Sequence, residues 1–245
     1  MNSSKLNRKY WNEWNIKYSE VWQSAARQEM SKKEMAFIAS KLVQKKPNLI
    51  LDIGIGNGRI LDVLSQKSTP KAKIFGIDIS SKMVNICHTH FREDKKIVDL
   101  AICDLSEQKI PFLLNFDFVT MVRVLKYNEN WQKMIKKVYQ SLNTDGLYIF
   151  SMPNYFSISI MSGDKFSDNN SPIKYTGINE LRKLLYKTGF TEFEFISFSK
   201  LPNFLYHLSD NPIYVRSLLF VEEIFEKLLG KSFLGRELFV CCQKK

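Results

Sequence analysis

A chain of 245 residues, 44% hydrophobic and 25% charged, can bury one core of the larger α/β kind without metals or disulfides and leaves no room for a second full domain. No apolar run reaches the roughly 18 residues that cross a bilayer, and the opening MNSSKLNRKYWNEW lacks the apolar stretch of a secretory leader, so a cytoplasmic location is expected. The net charge of +11 suits an anionic substrate, an anionic surface or nucleic acid, but the lysines are scattered over helix faces and ends, which disfavours nucleic acid.

In chain order, Tyr10, Trp14, Tyr18 and Trp22 fall four apart and predict a helical aromatic stripe. Such a stripe either docks on the core or forms a lid whose rings line a pocket or face a cationic ligand. Ser31-x-x-Glu34 has the form of a capping box opening a helix over 31–46. Residues 48–53 form a short apolar strand of the kind buried on both faces in a parallel sheet. Helix 59–66, strand 73–78, helix 80–91, and strands 97–104 and 116–122 follow. An amphipathic helix from Trp131 to Leu142 leads to strand 147–152, and a polar loop of about twenty residues begins at Pro153. Helix 178–187, a phenylalanine-rich strand 190–199 and a last strand 238–242 end the pattern. Between these two strands an apolar helix runs from Pro212 to Leu229, with Leu218, Val221, Phe225 and Leu228 along one side. Cys87, Cys103, Cys241 and Cys242 form no CxxC pair and are expected in the core, the adjacent two on opposite faces of a strand.

Alternating strands and helices define a doubly wound, mostly parallel α/β sheet that binds ligands at the carboxyl ends of its strands. The strand-to-helix turn Leu51-Asp52-Ile53-Gly54-Ile55-Gly56-Asn57-Gly58-Arg59 is such an end. Its glycines allow positive φ and a close ligand approach, and the next helix turns its N–H groups toward whatever is bound. A dinucleotide fingerprint beginning at Gly54 would need glycine at position 59, where Arg59 stands.

The pattern Asp52-x-Gly54-x-Gly56-x-Gly58 instead resembles motif I of the class I S-adenosylmethionine-dependent methyltransferases, with good register over about residues 48–153 and more loosely beyond. Asp78 ends the second strand, where an acidic side chain can accept hydrogen bonds from both ribose hydroxyls. The resemblance implies a seven-stranded Rossmann-like sheet, its last strand in a hairpin with the sixth, and a cofactor site for S-adenosylmethionine, released as S-adenosylhomocysteine. It places Asp52, Gly54, Ile55, Gly56, Asn57 and Gly58 in the turn at the cofactor. Asp78, Ile79 and Met83 follow the second strand, Asp104 (at the adenine amino group) and Leu105 the third, and Val122 and Arg123 the fourth. One domain over 1–245 is expected, with a lid segment 1–30, a core of 31–199 and 237–245, and an insertion 200–236 that joins 153–176 over the acceptor.

A sulfonium methyl is already activated, so transfer needs chiefly an aimed, desolvated nucleophile. A base is required only for an acceptor still protonated at neutral pH. His207 is the candidate base, with Arg123 for an anionic group and Tyr127 beside it. Tyr10, Trp11, Tyr18 and Tyr155 are candidate acceptor contacts. Quinone-type members often carry a Glu-His pair after strand four, but Lys126-Tyr127 stands here, against a metal-assisted mechanism; His88 and His90, about 200° apart on a helix, cannot chelate together. Val122-Arg123-Val124-Leu125 lacks the D/N-P-P-Y/F signature of nucleic-acid amino-methyltransferases, no Pro-Cys pair exists for a cytosine C5 nucleophile, and Arg123 stands where polyamine synthases need an acid. The expected function is O- or N-methylation of a small-molecule acceptor, an anionic one suiting the charge. RNA or protein methylation through the basic surface, and a noncatalytic cofactor-binding partner protein that acts through the 212–229 helix on a partner or a membrane surface, are the alternatives; an exposed apolar face on that helix would also suit a dimer.

Overall fold

The computed structural model describes residues 3–13, 20, 22–163, 173–232 and 234–245. Trp14 and Tyr18 of the predicted stripe, and 164–172 of the polar loop, lie outside the described residues. The elements are α1 (Ser3–Glu13), α2 (Ala25–Lys45), β1 (Leu49–Ile53), α3 (Arg59–Lys67), β2 (Lys73–Asp78), α4 (Ser81–His90), β3 (Ile97–Ile102), β4 (Phe116–Met121), α5 (Trp131–Ser141), β5 (Leu142–Pro153), α6 (Ile158–Met161), α7 (Ile178–Thr188), β6 (Phe190–Phe198), α8 (Pro212–Leu229) and β7 (Glu237–Lys244). They build one seven-stranded sheet in the order β3-β2-β1-β4-β5-β7-β6. β7 runs antiparallel to both β5 and β6, and the pairs among β1 to β5 are parallel.

The sheet is buried on both faces, which is why its central strands are apolar at most positions rather than at alternate ones. In β1, Leu51 packs into the core on one face and Ile50 into that on the other. Cys241 and Cys242 divide in the same way along β7, and all four cysteines are buried free thiols. Helix α5 buries Trp131, Met134, Ile135 and Val138, spaced to fall on one stripe, against the first face. Each such side chain contributes about 1.5–3 kcal/mol of transfer free energy. α2 and α3 cover the opposite face with Ile38, Leu42, Leu61 and Leu64.

Three expectations change. Helix α2 begins at Ala25 behind Ser24, so Ser31 lies inside the helix and does not cap it. β5 starts at Leu142, five residues early, because Leu142 pairs with Phe116 before a register shift and a tight bend at Asp145, whose φ is 62°. Helix α8 buries Val215, Leu219 and Glu222, while Leu228 is 74% exposed and Val221 and Phe225 are 39% exposed. Glu222 turns that side inward because its carboxylate accepts hydrogen bonds from the Lys200 N–H and the Tyr206 hydroxyl.

Candidate active site

The turn after β1 is the geometric centre of the site. Gly54, Gly56 and Gly58 all have positive φ, at 79°, 53° and 90°. A Cβ on Gly54 would overlap Val124 of the turn after β4, so the two turns meet only because the side chain is absent. Gly54→Ala should therefore cost about 1–2 kcal/mol for the left-handed backbone alone, and more for the overlap. An unchanged denaturant midpoint would show that the turns are not held together.

Asp78 pins the same turn from the end of β2. Its Oδ2 accepts the Gly56 N–H at 2.9 Å and its Oδ1 the Ser80 N–H at 2.8 Å. Burial pushes this carboxyl up from its usual value, and the two N–H groups pull it back. Asp52 lies beneath the turn, fully buried, with Oδ1 accepting the Thr120 hydroxyl at 2.7 Å and Oδ2 without a hydrogen bond among the described residues. Burial lifts the Asp52 carboxyl to about 7.

Above these strand ends opens a cavity of about 820 Å³. Gly54, Gly56, Asp78, Ile79 and Met83 line one part of it, followed by Asp104 and Leu105, and then Val122, Arg123 and Tyr127. Asp52, Ile55, Asn57 and Gly58, expected at the cofactor, do not line it. Helix α1 crosses the opening. Ser4 donates its hydroxyl to Asp104 Oδ2, Asn7 Nδ2 donates to the Tyr127 carbonyl at 3.0 Å, and Ser80 Oγ donates to Asn12 Oδ1 at 2.7 Å. Trp11 meets Tyr127 edge to face at 5.1 Å, and Tyr10, Trp11 and Trp22 line the cavity with Tyr206 and His207 of the 200–236 segment. Tyr18 is outside the described residues. Tyr155, 60% exposed beside Phe156, is not among the lining residues.

A network of charges forms the wall next to the β4 turn. Arg123 has φ 60° and donates its backbone N–H to Ser151 Oγ at 2.9 Å. Its guanidinium grips the Glu34 carboxylate with both terminal nitrogens and donates Nε–H to Glu237 at 3.0 Å. Arg59 donates to Glu34 at 3.2 Å and to Ser31 at 2.7 Å, and the Trp22 ring lies 4.1 Å from the Arg59 guanidinium and 4.9 Å from that of Arg123. Burial alone would raise the Glu237 carboxyl, but Arg123 and Lys126 hold it down at about 2. Arg123, expected to receive an anion, thus already carries two carboxylates.

Glu34, Glu237 and Lys126 line the cavity, and sequence reasoning assigned none of them to the site. Glu34 had a local explanation as half of a capping box; Glu237 has no sequence signal; Lys126 showed only as the occupant of the Glu-His position. His88 and His90 are exposed, and the nearest carboxylate to His90 is Asp62 at 3.4 Å.

Residues 50–146 match the family model described as a methyltransferase domain. A tRNA N(3)-methylcytidine methyltransferase of Drosophila melanogaster is 26% identical over 178 residues, covering 66% of this chain and 55% of the relative. A malonyl-[acyl-carrier protein] O-methyltransferase of Priestia megaterium is 28% identical over 134 residues, 55% of this chain and 45% of the relative. The chain thus spans about half the length of these relatives. Magnesium protoporphyrin IX methyltransferase from Synechocystis, solved with bound S-adenosylmethionine, superposes with a TM-score of 0.65 at 15% identity over 100% of this chain and 98% of that one. A methyltransferase from Clostridium acetobutylicum gives a TM-score of 0.65 at 16% identity over 94% and 98%. Residues 50–146 are thus similar to a methyltransferase domain, and the sheet that contains them has the Rossmann-like fold of the solved methyltransferases it superposes on.

Proposed function

We propose that the chain transfers the methyl group of S-adenosylmethionine to an oxygen or nitrogen of a small-molecule acceptor. The observation that carries this reading is the 820 Å³ cavity, continuous from the glycine turn to a covering of aromatic rings contributed by α1 and the 200–236 segment. Its cofactor end fits the ligand: the turn comes close without side chains, and Asp78, pinned by two backbone N–H groups, keeps lone pairs for a pair of hydroxyls. When bound, S-adenosylmethionine supplies a methyl already activated on a positive sulfonium. The protein's part is orientation and exclusion of water. The turn after β4 positions the acceptor, Tyr10, Trp11 and Tyr127 close over it, and His207 stands at the cavity for an acceptor that must lose a proton.

The described parts of segments 1–30, 153–176 and 200–236 cover the cavity; Asn7, Ile173 and Tyr206, one from each, line it. A cytoplasmic setting fits four unpaired cysteines. Among the described residues no helix is long and apolar enough to cross a membrane.

A second reading, methylation of tRNA, is supported by the Drosophila relative and the +11 charge. Incubation with methyl-labelled S-adenosylmethionine and a cell extract, split into small-molecule and RNA fractions, separates the two. Label in the small-molecule fraction that survives ribonuclease is expected. Label confined to tRNA would replace the first reading with the second, and no label in either would refute both.

A further inference from the structure

Helix α8 is apolar on two sides. Inward, Val215 and Leu219 pack with Ala25 and Ala26 of α2 and with Tyr206, and Glu222 is held there by its hydrogen bonds. At about 3.6 residues per turn, Ile213, Ser217, Phe220, Val221, Ile224 and Leu228 fall on a stripe roughly 100° wide on the opposite side. Ile213 is 71%, Phe220 63% and Ile224 44% exposed, and Ser217 is the stripe's one polar member. A helix that is apolar all round is ordinarily covered all round, and an exposed apolar stripe marks a contact surface.

Two features of the stripe fit a copy of itself. It reads alike in either direction: about a midpoint between Phe220 and Val221, Ile213 mirrors Leu228, and the small Ser217 mirrors the branched Ile224. An isologous two-fold contact requires such self-complementarity, whereas a partner of different sequence does not. Arg216 and Glu223, two turns apart on one flank, carry side chains that are 60% and 52% exposed. Each faces one residue of α2, Glu29 at 3.0 Å and Lys33 at 3.1 Å, with its outer side open. An antiparallel two-fold brings Arg216 of each copy toward Glu223 of the other, so opposite charges meet on both edges of the contact. A lipid surface fits less well. Helices that lie on anionic lipid have basic flanks, and α8 carries Glu222, Glu223 and Glu226 against Arg216 and Lys227.

We infer that the chain forms a two-fold dimer by antiparallel pairing of α8 with α8 of a second copy. The inference stands apart from the methyl-transfer reading. On its inner side the same helix holds Tyr206, a lining residue of the cavity, through Glu222, so the contact backs the cover of the site.

Sedimentation equilibrium of the full chain should give twice its 28.7 kDa, with a dissociation constant of about 10 μM or tighter. Phe220→Glu combined with Ile224→Glu sets carboxylates into the apolar stripe and should weaken the dimer at least about a hundredfold. The circular dichroism spectrum should not change, because both side chains face outward. Hydrogen exchange of the unaltered protein, compared above and below the dissociation constant, should show protection of 212–229 that grows with concentration, a readout that decides even if the variant fails to fold. A monomer at about 100 μM, a dimer that survives the double substitution, or protection confined to another element would overturn the inference. A monomer that adsorbs to phosphatidylglycerol vesicles would assign the face to a lipid surface and overturn it as well.

Discussion

Asp78→Ala should abolish calorimetrically detectable binding of S-adenosylhomocysteine. The carboxylate does two things at once: it holds the Gly56 and Ser80 N–H groups, and it offers its remaining lone pairs to the ligand. Losing two charge-assisted hydrogen bonds to a ligand costs about 3 kcal/mol or more, at least about a hundredfold in affinity. The melting temperature should fall only slightly, because β2 keeps its pairing with β1 and β3. Asp78→Asn separates the two roles, since an amide of the same shape retains one acceptor oxygen for the turn. Full affinity in Asp78→Ala would remove this end of the cavity from the cofactor assignment.

Arg123→Met should be among the most destabilising single substitutions in the chain, for a reason unconnected with catalysis. It takes the shared guanidinium from two buried carboxylates, leaving Glu34, at 1% exposure, with Arg59 and Glu237, at 5%, with the Ser151 hydroxyl and the nearby Lys126 charge. Breaking a buried ion pair by deleting one partner costs about 3–5 kcal/mol. The pH dependence has a definite sign. In the folded protein Glu237 is held at about 2, below its ordinary 4.5, so its ionisation contributes stability that is fully present above 4.5 and is lost as pH falls through 2. The gap between wild type and variant should thus be widest near neutrality and close between pH 4.5 and 2. Denaturant midpoints measured across that range check it, and a gap that widens in acid would contradict the assigned partners.

Much of the fold was legible because its signals are local. β1 and β2 are apolar at nearly every position, a pattern that double burial requires, and the order Gly54, Gly56, Gly58 with Asp78 at the next strand end marked the sheet edge at which the cavity opens. The charge network was not legible, because its partners lie far apart in sequence: Arg123 meets Glu34 across 89 positions and Glu237 across 114. Ser31 and Glu34 were worse than silent. Their spacing matches a cap, yet it also puts them on one helical face, from which both reach Arg59. Helix α8 misled for another reason. Apolar residues occupy several of its sides, so periodicity alone could not choose the inner one, and a buried glutamate made the choice.

Helix α1 bears on the tempo of the proposed reaction. Its three polar ties reach the ends of β2 and β3 and the turn after β4, so the cover is fastened to three of the strand-end loops around the cavity. In a methyl-transfer reaction this closed arrangement would shield the reactants, and the same fastening would hold the spent nucleoside in place. If the proposed methyl transfer takes place here, product release waits on the unfastening of this eleven-residue helix, a motion of the microsecond-to-millisecond class.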